Sequence, residues 1–164
     1  PYQQPDPFVS VIELSVEGSG VSVDSTLAVD PETGIKDLSV KFAVAESCSI
    51  YKSSWMEKFG EWKHVYCAGH LNQGGKLTWT VAVSKPGVYH LDIKARGKGR
   101  VVWKAETDEG RAIQNQQGVS DIFCDRQIGW ISFEKAGTHT ITVNQLEGGD
   151  VEVSSITLVP VNFE

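Results

Sequence analysis

Residue types able to carry out chemistry occur throughout this chain, but none falls at a spacing that hydrolysis, phosphoryl transfer or metal binding demands. Two acids that cleave a glycosidic bond must face each other across a cleft at roughly 5 to 9.5 Å. The candidate pairs, Glu57 with Glu61 and Asp108 with Glu109, fall in segments that read as loop or turn, where a solvated surface carboxylate is the expectation. His64, His70, His90 and His139 have no motif neighbours, and there is no G-x-S-x-G elbow, H-E-x-x-H pair or Walker sequence. Cys67-Ala-Gly-His70 offers two zinc ligands, but no second close pair completes a set of four, so ordinary buried thiols are expected. With Cys48, Cys67 and Cys124 the cysteines are odd in number, so at most one disulfide can form. The chain is expected to have no catalysis of its own and no catalytic cofactor.

The aromatic residues are distributed less evenly. Tyr51, Trp55, Phe59, Trp62 and Tyr66 lie within one polar stretch that reads largely as loop. An exposed ring can stack on the C–H face of a pyranose while neighbouring polar side chains pair its hydroxyls. Trp79 alternates in register with Leu77, Val81 and Val83, and Trp103 sits in a two-sided apolar run, so both are expected in the core. Trp130 precedes Ile131 and should face away from the buried Ile131 and Phe133. Trp55, Trp62 and Trp130 are therefore the rings most free to meet a ligand, with His70, Asn72, Asp125 and Arg126 as candidate partners for its hydroxyls.

The elements that must position these side chains are short strands. Apolar alternation broken by Gly, Pro, Asn or Asp predicts strands near 38–45, 62–68, 76–83, 88–95, 100–106, 111–114, 119–124, 128–134, 138–145 and 151–159. No stretch has the period of an amphipathic helix, so the expected class is all-β, a sandwich or barrel. Lys85-Pro-Gly87 and Lys135-Ala-Gly137 open two similar stretches, and with Asp108-Glu-Gly110 and Glu147-Gly-Gly149 they predict four hairpins. Residues 1–7 contain three prolines and read as a strap, and 8–16 is a β-branched run. The polar stretch after it places the boundary so that 1–18 is a linker or the terminal strand of a preceding domain and 19–164 is one module.

Composition narrows the partners. The 164 residues carry 15 Lys and Arg against 21 Asp and Glu, a formal charge of −6, which gives no electrostatic footprint for nucleic acid or anionic lipid. No run approaches the ~18 apolar residues of a membrane-spanning helix. The chain opens at Pro1 and holds one Met, Met56, so it is expected to be a processed or excised piece.

Gly75-Lys-Leu-Thr-Trp79-Thr-Val-Ala-Val-Ser-Lys-Pro-Gly87-Val-Tyr89, then Gly129-Trp-Ile-Ser-Phe and the closing Val153-Ser-Ser-Ile-Thr-Leu-Val-Pro160, resemble the jelly-roll modules of the galactose-binding-like superfamily. Phe59-Gly-Glu-Trp62 ahead of the W-x-V-x-V-x-x-P-G-x-Y element is more closely similar to the non-catalytic C-terminal domain of many α-L-fucosidases, over roughly residues 38–161. The resemblance implies an antiparallel jelly-roll β-sandwich that binds carbohydrate, secreted to an extracellular or periplasmic location and appended to the catalytic domain of a glycoside hydrolase. The alternative is an accessory sandwich that only stabilises that domain. Related modules often carry a structural calcium near the first strand, where an Ala-Glu pair supplies a ligand. Ala45-Glu46 stands there, but Ser154-Ser155 occupies the place of the partner carboxylate and Asp150 is displaced from it.

Overall fold

A computed structural model describes residues 26–56 and 58–161. The proline-rich strap at 1–7 and the apolar run at 8–16 lie outside the described residues. The described chain forms twelve strands: β1 (Leu27–Val29), β2 (Ile35–Ser39), β3 (Val44–Glu46), β4 (Ser49–Met56), β5 (Trp62–Gly69), β6 (Lys76–Val83), β7 (Gly87–Gly97), β8 (Gly99–Thr107), β9 (Ala112–Val119), β10 (Cys124–Phe133), β11 (Gly137–Gly148) and β12 (Val151–Pro160). Three 3-10 turns, at Val40–Phe42, Lys58–Gly60 and Leu71–Gln73, interrupt them.

The strands form two sheets, ordered β1-β6-β11-β8-β9 with β3 also on β6, and β10-β7-β12-β5-β4 with β2 also on β12. The jelly-roll sandwich expected from the resemblance is the fold observed. One pairing departs from the antiparallel expectation: β1 runs parallel to β6, Leu27 beside Val81.

Alternation accounts for the layers. Along β6 and β7 every second residue is buried, so Leu77, Trp79, Val81, Tyr89, Leu91 and Ile93 enter the space between the sheets. Trp79 and Trp103 are fully buried, as their registers predict. The Trp79 indole Nε1 donates to the Ser39 carbonyl at 3.1 Å, and Tyr89 meets Phe133 edge-on at 5.9 Å.

Three of the four expected hairpins are not hairpins. β6 and β7, β10 and β11, and β11 and β12 lie in different sheets, so the turns at Gly87, Gly137 and Gly149 are arches across the sandwich. Turn chemistry specifies a reversal of direction, but not whether the next strand pairs with the last or crosses over it. Only the turn at Gly110 closes a hairpin, β8 with β9. The aromatic stretch expected as loop is largely strand: β4 and β5 pair from Ser49 with Gly69 to Met56 with Trp62. The predicted strand at 38–45 is split by the turn at Val40–Phe42, and the predicted pieces 111–114 and 119–124 are replaced by the single strand β9.

Gly34 shows where a residue without Cβ is required. Its φ is +72°, it donates to the Asp30 carbonyl at 2.7 Å, and a Cβ there would lie 1.9 Å from the Leu158 carbonyl oxygen. Gly34→Ala is expected to cost roughly 2–4 kcal/mol of folding stability, read by urea denaturation, because the backbone of β12 would have to move. A loss under ~0.5 kcal/mol would show that this turn is not fixed against β12.

Candidate functional site

The outer face of the second sheet is where polar and aromatic side chains converge, and a competition between strands shapes it. β2 occupies the edge of β12 at Ser155, Ile156 and Leu158, while β5 pairs with β12 only at Val153 beside Ala68. A register shift in β12 between Val153 and Ser155 marks the changeover. The rest of the β4–β5 hairpin therefore leaves the sheet, and a cleft of about 480 Å³ opens with Trp55, Val65 and Phe123 as its apolar lining and Asp37, Lys94 and Ser155 among its polar ones. Trp55 shares the face of Tyr51 by alternation, and its ring is 43% exposed.

The polar lining is linked. Lys94 Nζ lies 3.9 Å from Asp37 Oδ1, the Ser155 hydroxyl donates to the same oxygen at 3.5 Å, and the Ser154 hydroxyl donates to the Lys94 carbonyl at 3.3 Å. Next along the face, Glu152 accepts from both Tyr51 and Arg96, and the Arg96 guanidinium lies 4.7 Å over the Phe123 ring. Burial pushes the Glu152 carboxyl up, but Arg96 and then Tyr51 outweigh it and hold the group below its ordinary value. Burial, reinforced by Glu152, raises the Tyr51 phenol. The Cys67 thiol, fully buried beside Tyr51, is pushed up to about 11, mainly by burial. A high pKa and no solvent access make it an inert thiol, and all three cysteines are free.

The same face continues along β7 to a second aromatic group. Trp130 pairs with His90 in register, and the two rings meet edge-on with centroids 5.3 Å apart. The His90 ring Nδ1 is hydrogen-bonded to the Gln127 amide, and Trp130 remains 53% exposed. Between the two aromatic groups stands Asp92, whose carboxyl is raised by burial, with His90 opposing the rise and Asp125 adding to it. A raised acid favours the protonated folded form, so ionised Asp92 weakens folding near neutral pH, and the penalty vanishes as pH falls through its pKa. Asp92→Asn is thus expected to raise the unfolding midpoint at pH 7 and to leave it unchanged at a pH well below 3.8, the ordinary aspartate value. An unchanged midpoint at pH 7 would mean that Asp92 carries no such penalty.

The structure separates the residues that sequence suggested as one site. Trp55 opposes Lys63 while Trp62 opposes Met56, so the two indoles project from opposite faces of the hairpin. His70 and Asn72 are exposed but follow the far end of β5, an eight-residue strand that puts them roughly 23 Å from Trp62. Asp125 stands on the outer face opposite Lys94, whereas Arg126, opposite Ile93, has the inward parity and is exposed only because β10 is an edge strand. Lys94, Asp37, Asp92 and the Tyr51–Glu152–Arg96 group were not anticipated. The alternation His90, Asp92, Lys94, Arg96 against buried Leu91, Ile93 and Ala95 carried the signal for β7. Nothing in the sequence pointed to Phe123.

Other candidates resolve into structural roles. Asp108 Oδ1 lies 3.2 Å from His139 Nδ1 and accepts the Thr140 N–H at 3.2 Å, and Glu109 accepts the Glu134 N–H at 2.8 Å, so these carboxylates brace turns. Glu57 lies outside the described residues. Glu46 is exposed on β3 opposite Lys76, and among the described residues no group of three or more His, Cys, Asp or Glu could hold a metal ion. One carboxylate beside an ammonium does not fit the six to eight oxygens calcium takes. No helix among the described residues is long and apolar enough to cross a membrane.

No protein-family model and no curated protein sequence matches the chain. Similar solved structures share the sandwich. CsCBM6-3 from Clostridium stercorarium, in complex with cellobiose, is 11% identical over 85% of this chain and 100% of its own, with a TM-score of 0.58. The GH26-CBM35 β-(1,4)-mannanase of Podospora anserina is 18% identical over 74% of this chain and 28% of its own, with a TM-score of 0.54. The insecticidal crystal protein Cry2Aa is 18% identical over 75% of this chain and 21% of its own, with a TM-score of 0.55. At such identities the likeness extends to the fold, which serves sugar-binding modules and toxin domains alike. The chain corresponds to about a quarter of the mannanase it resembles.

Proposed function

We propose that this chain is a non-catalytic carbohydrate-binding module that holds a glycan on the outer face of its second sheet, with Trp55 as the stacking ring. The observation that carries the proposal is a half-exposed indole inside an open cleft lined also by Val65 and Phe123 and by the polar side chains of Asp37, His64, Lys94 and Ser155. The indole face carries negative potential and meets the C–H groups of a pyranose, while the exposed Asp37 and Lys94 pair its hydroxyls. The sandwich shared with a cellobiose-bound module supports the proposal. An appended glycoside hydrolase, of the α-L-fucosidase type that the sequence resembles, and a secreted location complete it. Tethering to a catalytic domain raises local substrate concentration through effective molarity, so affinity between about mM and μM suffices.

A second reading is favoured by one specific observation. Met56, Trp62 and Tyr66 project from the inner side of the β4–β5 hairpin beyond the reach of the core, at 58%, 59% and 42% exposure. Rings so placed suit an interdomain surface of an accessory sandwich with no ligand site.

Affinity electrophoresis of the full chain through gels containing neutral glucans, mannans and galactans, fucosylated glycans and anionic polysaccharides tests the first reading. Retardation by at least one glycan supports a binding module. Mobility unchanged across the panel sinks it in favour of the accessory domain.

A further inference from the structure

Resting on that carbohydrate-binding proposal, we infer that the outer face of the second sheet takes the interior of a neutral, linear glycan, with Trp130 as a second stacking ring remote from Trp55. Strand β7 runs beneath both aromatic groups: His90 touches the Trp130 ring, and Lys94 lines the Trp55 cleft. Four residues of β7 span about 13 Å. Trp55 comes from β4 but shares its cleft with Lys94 of β7, so this length of β7 sets the separation between the indoles. That separation is longer than one pyranose ring, and only a chain of several sugars reaches both.

The surface between them suits such a chain. Asp92 on β7, Gln127 on β10 and Thr157 on β12 are neighbours in register, with Asp92 in the middle, and form a polar row that can pair successive hydroxyls. Among the described residues the row is made of strand side chains on three adjacent strands. Its charge selects the class of glycan. Lys63, Lys94 and Arg96 are the cations here, and each already faces an acid, Glu61, Asp37 and Glu152 respectively. Asp92 and Asp125 add two further carboxylates on the same face, so a polyuronate or sulfated chain would meet net negative charge.

Calorimetric titration of the full chain with cello- and manno-oligosaccharides of two to six units tests this, using the wild type, Trp130→Ala, Trp130→Phe and Trp55→Ala. Because the Trp130 ring is half exposed, Trp130→Ala is expected to keep the wild-type unfolding midpoint. Wild-type affinity should rise at least tenfold from the disaccharide to the hexasaccharide. Trp130→Ala should abolish that rise while leaving disaccharide binding within twofold, Trp130→Phe should restore much of it, and Trp55→Ala should weaken every length. Hexasaccharide binding unaltered by Trp130→Ala, or stronger binding of a polyuronate oligomer, overturns the inference, and in either case loss in Trp55→Ala leaves the carbohydrate-binding proposal standing. A wild type that binds neither series at any length overturns the inference, while retardation by another glycan of the electrophoresis panel leaves the carbohydrate-binding proposal standing.

Discussion

Trp79→Ala is expected to cost about 3–5 kcal/mol of folding stability, a large part of what a domain of this size possesses. The ring is fully buried between the sheets, so its removal leaves a cavity that close-packed neighbours cannot collapse to fill. A finer comparison isolates the role of its nitrogen. Trp79→Phe keeps most of the apolar volume but strips the Ser39 carbonyl of the indole donor at 3.1 Å, a loss of roughly 1–3 kcal/mol added to the volume deficit. Trp103 is as deeply buried, yet its Nε1 has no acceptor among the described residues, so Trp103→Phe removes an unsatisfied donor along with the volume. Urea denaturation should therefore rank Trp79→Phe as the more damaging change, and the reverse ranking would show that ring volume alone decides. The consequence reaches the surface. Ser39 ends β2 and also lines the cleft, so the Trp79 bond ties the core to one wall of the proposed site.

How much of this was legible in the chain depends on which period carried the information. The strict alternation in Leu77-Thr-Trp79-Thr-Val81 placed the Trp79 ring in the core, and Trp130 ahead of Ile131 was placed on the outside by the same rule. Strand 62–68 is legible as β5, but β4 reads as loop for a physical reason: the outer part of the hairpin stands away from the sandwich, so β4 lacks the apolar alternation that a half-buried strand displays. Tyr51 and Trp55 are both exposed, and such a pattern resembles loop. The arches at Gly87 and Gly137 were beyond local chemistry, since the same turn residues serve a hairpin or a crossing between sheets. Gly87 also has a packing role that no turn rule carries, because a Cβ there would lie 3.2 Å from the Tyr89 ring. The cleft itself depends on β2 and β5 contending for one edge of β12, a tertiary event with no local signature. The polar outer row of β7 was legible, however, as His90, Asp92, Lys94 and Arg96 at every second position.

Trp55→Ala is expected to weaken glycan binding by at least ~30-fold, while Trp62→Ala should leave it within about twofold. The two residues have similar exposure and belong to the same hairpin, so composition and solvent access cannot separate them. Geometry can. Trp55 lies opposite Lys63 and turns toward the Asp37, Lys94 and Ser155 wall, where hydrogen-bonding groups stand beside the ring. Trp62 lies opposite Met56 on the other face, where the polar side chains beside it, His64 and Ser54, are hydrogen-bonded to each other at 2.8 Å. A stack contributes to affinity only when the sugar's hydroxyls find partners at the same time, because hydroxyls desolvated without replacement cost about as much as the stack gains. A central ring that meets both conditions is typically worth ~2 kcal/mol or more, which corresponds to the ~30-fold loss. Affinity electrophoresis and calorimetry on both variants, with unfolding midpoints as the control for folding, supply the comparison. Loss confined to Trp62→Ala would move the site to the inner side of the hairpin, and equal losses would mean that the hairpin as a whole, rather than the cleft beneath it, grips the chain.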